Sequence, residues 1–364
     1  MAPGAISVYD SRVDRRYTAS VVGCGAGGTF SLDALVTSDR FALVAACDQA
    51  EAARQRVGDQ YNVPTFASHE AMFGECPTDI VCVSTWAPSH GPITLDALAL
   101  PLTGILVEKP LGDTTSAGRE LLDAIRTRSI PVCVPHGLLY LEHAAEILRR
   151  VHNGEIGDLK LVEIQCTGWD IINAGIHWLN YFVTLALRDP IQYVMAQCDA
   201  STRTYRDGMQ VETVGVTYAE TQSGVRVVMQ TGDHVNVNRE GRDTLFRLVG
   251  TAGVIEFWGW QSAYHLVNAS CPGGTLFEPE RGPASGHQRC LELLATQMDA
   301  REPDYEIAES SLAALEMVEV AYLSARHGVR VALPLSAFVS PAASDWQPGL
   351  PYSGSGGGRD GRRL

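Results

Sequence analysis

The sequence is poor in the signals that mark several large classes of protein. None of its nine cysteines stands in a CxxC pair, and their spacings match no zinc or iron–sulfur pattern, so no metal site is expected. An odd count in a chain of this length reads as free thiols in a reducing compartment. No apolar run approaches the ~18 residues of a membrane-spanning helix. The opening MAPGAISVYDSRVDRR lacks the apolar stretch of a secretion signal, so a cytoplasmic location is expected. Positive charge is scarce: 28 Lys+Arg stand against 42 Asp+Glu, a net charge of −14. A surface of that sign repels phosphate backbones and anionic bilayers, which argues against nucleic acid and membrane as partners.

What is present is the balance of an ordinary globular chain, 45% hydrophobic and 19% charged. At roughly 150 residues per domain, 364 residues suggest two domains. Residues 1–17 read as a loose arm. From 18 to 135, apolar runs (ASVVG, FALVAAC, DIVCVS, GILVE, IPVCVP) alternate with helical patterns such as 49–61 and 115–128. Runs with no polar face suit strands buried on both sides, and the alternation implies βαβ units in a doubly wound parallel sheet. From 136 to 345 the pattern turns to extended runs with fewer helices, and VTYA-ETQSG-VRVVM reads as a hairpin. This segment is expected to be an α+β domain with a mostly antiparallel open sheet. Helices are expected at about 287–300 and 309–327, and a flexible tail at 346–364.

The first strand runs into Gly23-Cys24-Gly25-Ala26-Gly27-Gly28, with Gly23, Gly25 and Gly28 in GxGxxG register and a helical pattern after them. Such a turn brings backbone close to a pyrophosphate at a helix N-terminus. The second strand ends in Asp48, 20 residues past Gly28, the spacing of the carboxylate that binds an adenosine ribose diol. The class is therefore α/β, opening with a Rossmann domain. A carboxylate there repels a 2′-phosphate, so NAD(H) is preferred without NADP(H) being excluded. Arg54 lies too far along its helix to alter that expectation. Another strand runs into Glu108-Lys109-Pro110, which puts a lysine at the carboxyl, ligand-binding edge of the sheet.

At this point the chain resembles a known family, the Gfo/Idh/MocA oxidoreductases (glucose–fructose oxidoreductase and inositol dehydrogenase relatives). The resemblance rests on ordered segments: VVGCGAGG with Asp48, STWAPSH (84–90), VEKPLGDT (107–114), HNGEIGDLKLVEI (152–164), AGIHWLN (174–180), LVGTAGVIEF (248–257) and SARHGVRVALP (324–334). It implies that Lys109 lies by the nicotinamide and the reacting hydroxyl, that Pro110 follows a cis peptide, and that Trp86, Pro88 and His90 line the cofactor. A capping role for His90 is the competing reading.

Many relatives carry D-x-G-x-H-x-x-D in the second domain. Here the stretch is Asn173-Ala174-Gly175-Ile176-His177-Trp178-Leu179-Asn180, with asparagine at both aspartate positions. At helical spacing Asp170, Asn173, His177 and Asn180 share one face, while Ile172, Ile176, Leu179 and Phe182 face the core. His177 is the expected proton-exchanging group and Lys109 the polarising one. Asn173, Asp170 and Asn180 are expected to bind substrate, with Asp170 able to supply the missing carboxylate. Tyr140, His136, Trp169, Asp233, His234 and Arg239 are weaker candidates. Trp258 and Trp260 read as core or interface residues.

The expected activity is NAD-dependent hydride transfer to or from a secondary alcohol or ketone carbon of a sugar, cyclitol or derivative. Alternatives are an NAD-retaining hydrolase or eliminase working through transient oxidation, and a non-catalytic cofactor-binding regulator. The expected partners are a carbohydrate-like small molecule and further copies of the chain, as a homodimer or homotetramer through the second sheet.

Overall fold

The computed structural model describes residues 15–199, 201, 204–237 and 241–337. The tail at 346–364, residues 1–14 of the arm, and Arg239 lie outside the described residues.

The apolar runs become a six-stranded, all-parallel sheet. Its strands are β1 (Tyr17–Val22), β2 (Phe41–Cys47), β3 (Thr65–Phe66), β4 (Ile80–Val83), β5 (Gly104–Val107) and β6 (Val132–Cys133). They lie in the order β3-β2-β1-β4-β5-β6. Helices α1 (Ala26–Thr37), α2 (Glu51–Tyr61), α3 (His69–Glu75), α4 (Ala87–Leu98) and α5 (Thr115–Thr127) make the connections. The central strands are buried on both faces, with one apolar cluster on each side of the sheet. That is why they read as unbroken apolar runs. The strand order reverses between β1 and β4, which opens the crevice at the carboxyl ends of the strands where ligands bind in such sheets.

The second part opens with α6 (Glu142–His152), β7 (Leu159–Thr167) and α7 (Ile176–Leu185). There follow β8 (Ile191–Asp199), the small hairpin β9 (Thr204–Arg206) and β10 (Met209–Val211), then β11 (Val214–Thr221) and β12 (Arg226–Gly232). Next come β13 (Thr244–Gly250), β14 (Gly253–Phe257), β15 (Tyr264–Asn268), β16 (Cys271–Phe277), α8 (Gly286–Ala300), α9 (Glu306–His327) and β17 (Val331–Ala332). A nine-stranded sheet runs β16-β15-β14-β13-β7-β12-β11-β8-β17. Its described pairings are antiparallel except β12 with β7. The expected hairpin is β11–β12. The apolar residues that alternate along these strands meet α6, α7 and α9 in one cluster. Met195 and Val216 stand exposed on the other face. Helix α9 carries Glu306 and Glu309 in its first turn, Arg326 and His327 in its last, and ends on left-handed Gly328. These are the charges and cap that its dipole favours.

Two features depart from expectation. Helix α8, placed by the sequence in the second domain, packs into the first: Cys290, Leu291, Leu294, Ala295 and Met298 lie in one cluster with Ala19, Val21, Leu32, Leu35 and Phe41. Tyr17 Oη donates to Asp299 at 2.7 Å, and Ser38 donates to Glu292 at 3.1 Å. The nine cysteines are also not all free. Cys133 of β6 is bonded to Cys290 of α8, with their Cα atoms 6.2 Å apart, and seven thiols remain. The spacing of 157 residues hid this pair, because only the docking of α8 brings it together. Among the described residues no helix is long and apolar enough to cross a membrane.

Candidate active site

The glycine turn is held by close approach. A Cβ on Gly23, whose φ is +96°, would lie 2.3 Å from the backbone oxygen of Ser84. One on Gly28 would lie 1.9 Å from the oxygen of Gly23. Gly25 meets nothing within 4 Å, so the space before α1 is open. No side chain caps the N-terminus of α1, which leaves its first N–H groups for a ligand. This uncapped, open cradle fits a dinucleotide diphosphate. Asp48 stands at the edge of the turn, where Oδ2 accepts from Cys24 N at 2.7 Å and Oδ1 from Ala50 N at 2.8 Å. Arg54 is closer than its helix position implied. Its guanidinium curls back to the carbonyls of Asp48 (2.9 Å) and Gln49 (2.8 Å).

At the end of β5, Glu108 is buried against the turn. A Cβ on Gly27 would lie 3.8 Å from its carboxyl carbon. The Lys109–Pro110 peptide is cis, as the resemblance implied. His90 is fully buried and bridges two carbonyls, Pro110 O at 2.7 Å and Thr85 O at 2.9 Å. Burial holds its imidazole below the ordinary range, with the two carbonyls opposing. It therefore ties the loop after β4 to the lysine loop. Trp86 and Pro88 stand exposed at the crevice, and Gly208 of the β9–β10 turn comes against both.

Lys109 Nζ donates to the backbone oxygen of Asn173 at 2.8 Å. Burial lowers its pKa, and Glu108, Asp207 and Asp170 partly offset that effect. His177 sits beside it, with its ring edge-to-face on His136 (5.2 Å) and on Trp260 (5.9 Å). Its Nδ1 is enclosed without a hydrogen-bond partner, which leaves Nε2 to meet a ligand. Burial, then the Lys109 ammonium, holds His177 well below the usual histidine range. His136 is buried, with Nε2 2.8 Å from Ser311 Oγ, and burial pushes it down to about 3. Both imidazoles are therefore neutral at neutral pH.

The polar stripe does not run along one helix face. Residues Ile171–Gly175 form a π-helical turn, which shifts the phase before α7. Asp170 caps that turn: Oδ1 accepts from the backbone and side-chain nitrogens of Asn173 at 2.8 and 2.9 Å, and Oδ2 from Arg206 at 2.8 Å. Asp170 and Asn173 thus spend these groups on each other and on Arg206. Asn180 is fully buried and donates to Ser310 on α9 at 2.8 Å. Ile172, Ile176, Leu179 and Phe182 are buried as expected.

Residues 18–136 match the family model of the Gfo/Idh/MocA group, an oxidoreductase family with an NAD-binding Rossmann fold. This segment belongs to the Gfo/Idh/MocA oxidoreductases. An inositol 2-dehydrogenase from Burkholderia multivorans is 25% identical over 250 residues, 64% of this chain and 72% of that protein. The fold as a whole is shared with two solved structures. The aldose–aldose oxidoreductase from Caulobacter crescentus, complexed with glycerol, is 19% identical with a TM-score of 0.75, covering 88% of this chain and 100% of that one. The WlbA dehydrogenase from Bordetella pertussis, complexed with NADH and UDP-GlcNAcA, is 17% identical with a TM-score of 0.72, covering 88% and 100%.

The structure adds residues that sequence reading passed over. Arg206 and Asp207 stand on the β9–β10 hairpin, where Arg206 lies over the Trp169 ring at 4.7 Å. The signal was present: Asp207-Gly208 is a two-residue turn, and both residues have positive φ, +48° and +79°. His287 on α8 donates from Nε2 to Glu108 Oε1 at 2.7 Å, and nothing in the local sequence announces it. Among the described residues no hydrogen bond, ion pair or ring contact joins Asp233, His234 or Tyr140 to Lys109 or His177, and Tyr140 serves the α8 interface through Cys290.

Proposed function

We propose that the protein transfers a hydride between NAD(H) and a secondary alcohol or ketone carbon of a sugar, cyclitol or derivative. The observation that carries this reading is the meeting of Lys109 and His177 at the carboxyl end of β5, beside the open glycine cradle. Gly23, Gly25, Ala26, Gly27, Gly28 and Asp48 would hold the dinucleotide, with Trp86 and Glu108 at its flank. When bound, the cofactor supplies or accepts the hydride. The protein's own groups handle the proton and the orientation. His177, held neutral by burial, takes the hydroxyl proton at Nε2 during oxidation and returns it during reduction. Lys109 donates to the substrate oxygen and stabilises charge as it develops there. The carbonyl of Asn173 keeps the ammonium in place, and Asp170 stiffens the turn that carries this carbonyl. Support for a polyol substrate comes from the inositol dehydrogenase relative and from the glycerol and nucleotide-sugar ligands of the two structural neighbours.

The test is absorbance at 340 nm during incubation with myo-inositol, common aldoses, sugar acids and nucleotide sugars, with NAD in one series and NADH with the keto forms in the other. Turnover that vanishes in both His177→Ala and Lys109→Ala supports the reading. Sugar conversion with no net NADH would move the protein to the cofactor-retaining alternative.

A further inference from the structure

We propose that Glu212 is a positioning residue for Lys109, acting through the π-helical turn whose Asn173 carbonyl holds the ammonium. The inference rests on the role given to Lys109 above and deepens it.

The starting observation is a buried carboxylate at the root of that turn, which the proton and hydride steps do not use. Glu212 follows β10 and is 5% exposed. Its Oε1 accepts from the backbone nitrogen of Ile171 at 2.8 Å. Its Oε2 accepts from Tyr322 Oη on α9 at 2.6 Å. Thr231 on β12 adds a longer hydroxyl contact to Oε1, at 3.5 Å. A buried carboxylate is costly unless it is hydrogen-bonded, and here each oxygen has a donor. Gly215 of β11 makes the room: an added Cβ would come within 3.1 Å of the Ile171 side chain and 3.3 Å of Glu212 Oε1.

The turn needs such an anchor. Ile171–Gly175 opens the helix that continues as α7, so its first N–H groups have no partner within the helix. Ala174 N and Gly175 N donate to the carbonyl of Asp170, at 3.3 and 3.1 Å. Asn173 N goes to the Asp170 side chain, and Ile171 N goes to Glu212. The two carboxylates hold the turn from opposite sides. Asp170 ties it to Arg206 on the β9–β10 hairpin, whereas Glu212 ties it to the interior, at β12 and α9. Ile171 is fully buried, so loss of Glu212 would strand its N–H.

Two residues past Ile171, the Asn173 carbonyl meets Lys109 Nζ at 2.8 Å. Glu108, Asp207 and Asp170 act on that ammonium by charge, but the carbonyl is what fixes its place. A shift at Ile171 is carried to the carbonyl within a single turn of helix, and a small misplacement of a reacting group is enough to slow chemistry. Glu212 therefore acts by position, through a hydrogen bond that a neutral acceptor could also make.

The experiment uses the lysines themselves. The full-length protein labelled with 13C at lysine Cε gives two signals, from Lys109 and Lys160, and Lys109→Ala identifies its own. In Glu212→Leu the Lys109 signal should move toward that of half-exposed Lys160, which stays in place. Glu212→Gln keeps an oxygen for Ile171 N and an amide for the Tyr322 hydroxyl, so it should hold the Lys109 signal at the parent position. Ile255→Ala, which truncates a fully buried residue of β14, should lower the Tm and leave the signal unmoved. If Glu212→Leu does not fold, Tyr322→Phe carries the test, because it frees Oε2 with the core packing kept; its signal should move the same way by less. An unmoved signal in the variant that folds overturns the inference, as does an equal move in Ile255→Ala or in Glu212→Gln. None of this needs turnover, so the hydride-transfer reading stands or falls apart from it, in the absorbance assay.

Discussion

The ammonium of Lys109 is anchored by a main-chain oxygen, that of Asn173, 2.8 Å away. Relatives that carry aspartate at this position have a carboxylate there. In this chain the anchor is backbone and does not depend on the side chain at 173. Asn173→Ala is therefore expected to lower turnover by less than tenfold. Lys109→Ala and His177→Ala should each lower kcat by about 10²–10⁴, with NADH binding kept. Initial rates at 340 nm and NADH fluorescence titration separate the two effects. A loss in Asn173→Ala as deep as that in Lys109→Ala would remove the distinction drawn here between side chain and backbone.

His136 and His177 make stability depend on pH. His136 is buried and His177 half-buried, and desolvation holds both below the ordinary histidine range, His136 at about 3. In the unfolded chain each titrates near 6.5, so below that pH the unfolded state binds more protons than the folded one. Their contribution is complete above about pH 6.5 and is lost as the pH falls toward the folded values, at up to about 1.4 kcal/mol per unit for each group. The Tm should drop between pH 7 and 5, and His136→Gln should shallow that slope. A mutant slope equal to that of the parent would show that other groups govern it.

The Asp170–Arg206 pair couples the β9–β10 hairpin to the π-helical turn. Arg206→Ala should cost about 1 kcal/mol, since the guanidinium is about one-third exposed. Asp170→Ala removes the cap and the ion pair together and should cost about 3 kcal/mol. Denaturant midpoints at constant m-value would measure both. Equal costs would mean that the cap to Asn173 contributes nothing.

Cofactor choice should respond to two residues in opposite senses. Asp48→Ala removes the carboxylate proposed to hold the ribose and also the acceptor for Cys24 N, so NADH should bind about tenfold more weakly while NADPH gains relative to it. Arg54 holds its charge on the carbonyls of Asp48 and Gln49, near the same edge. Arg54→Ala should lower the affinity for NADPH more than that for NADH. The ratio of the two dissociation constants is the readout, and a ratio unmoved by either change would place the selectivity elsewhere.

Much of this arrangement can be read from local sequence, because burial on both faces leaves a plain trace. FALVAAC is the strand Phe41–Cys47 residue for residue. Gly23 and Gly28 are demanded by contacts that any side chain would break. Lysine offers another trace: the 28 basic residues include only two lysines, Lys109 and Lys160. The misses share one physical origin. An extra residue in a helical turn has no composition, so the π-helical turn that takes Asp170 and Asn173 out of phase with His177 and Asn180 is invisible to spacing arguments. Likewise His287 and Cys290 reach the first domain only because a distant helix docks there.

That docking helix bears on how the chain is made. During synthesis the six parallel strands emerge first, yet part of their cover is residues 286–300, which follow more than 150 residues later. Until then the groove beside Leu32, Leu35 and Phe41 lacks its apolar lid. The nascent first domain must wait, incomplete and sticky, while most of the second is translated, and a fragment ending near residue 136 should aggregate rather than fold.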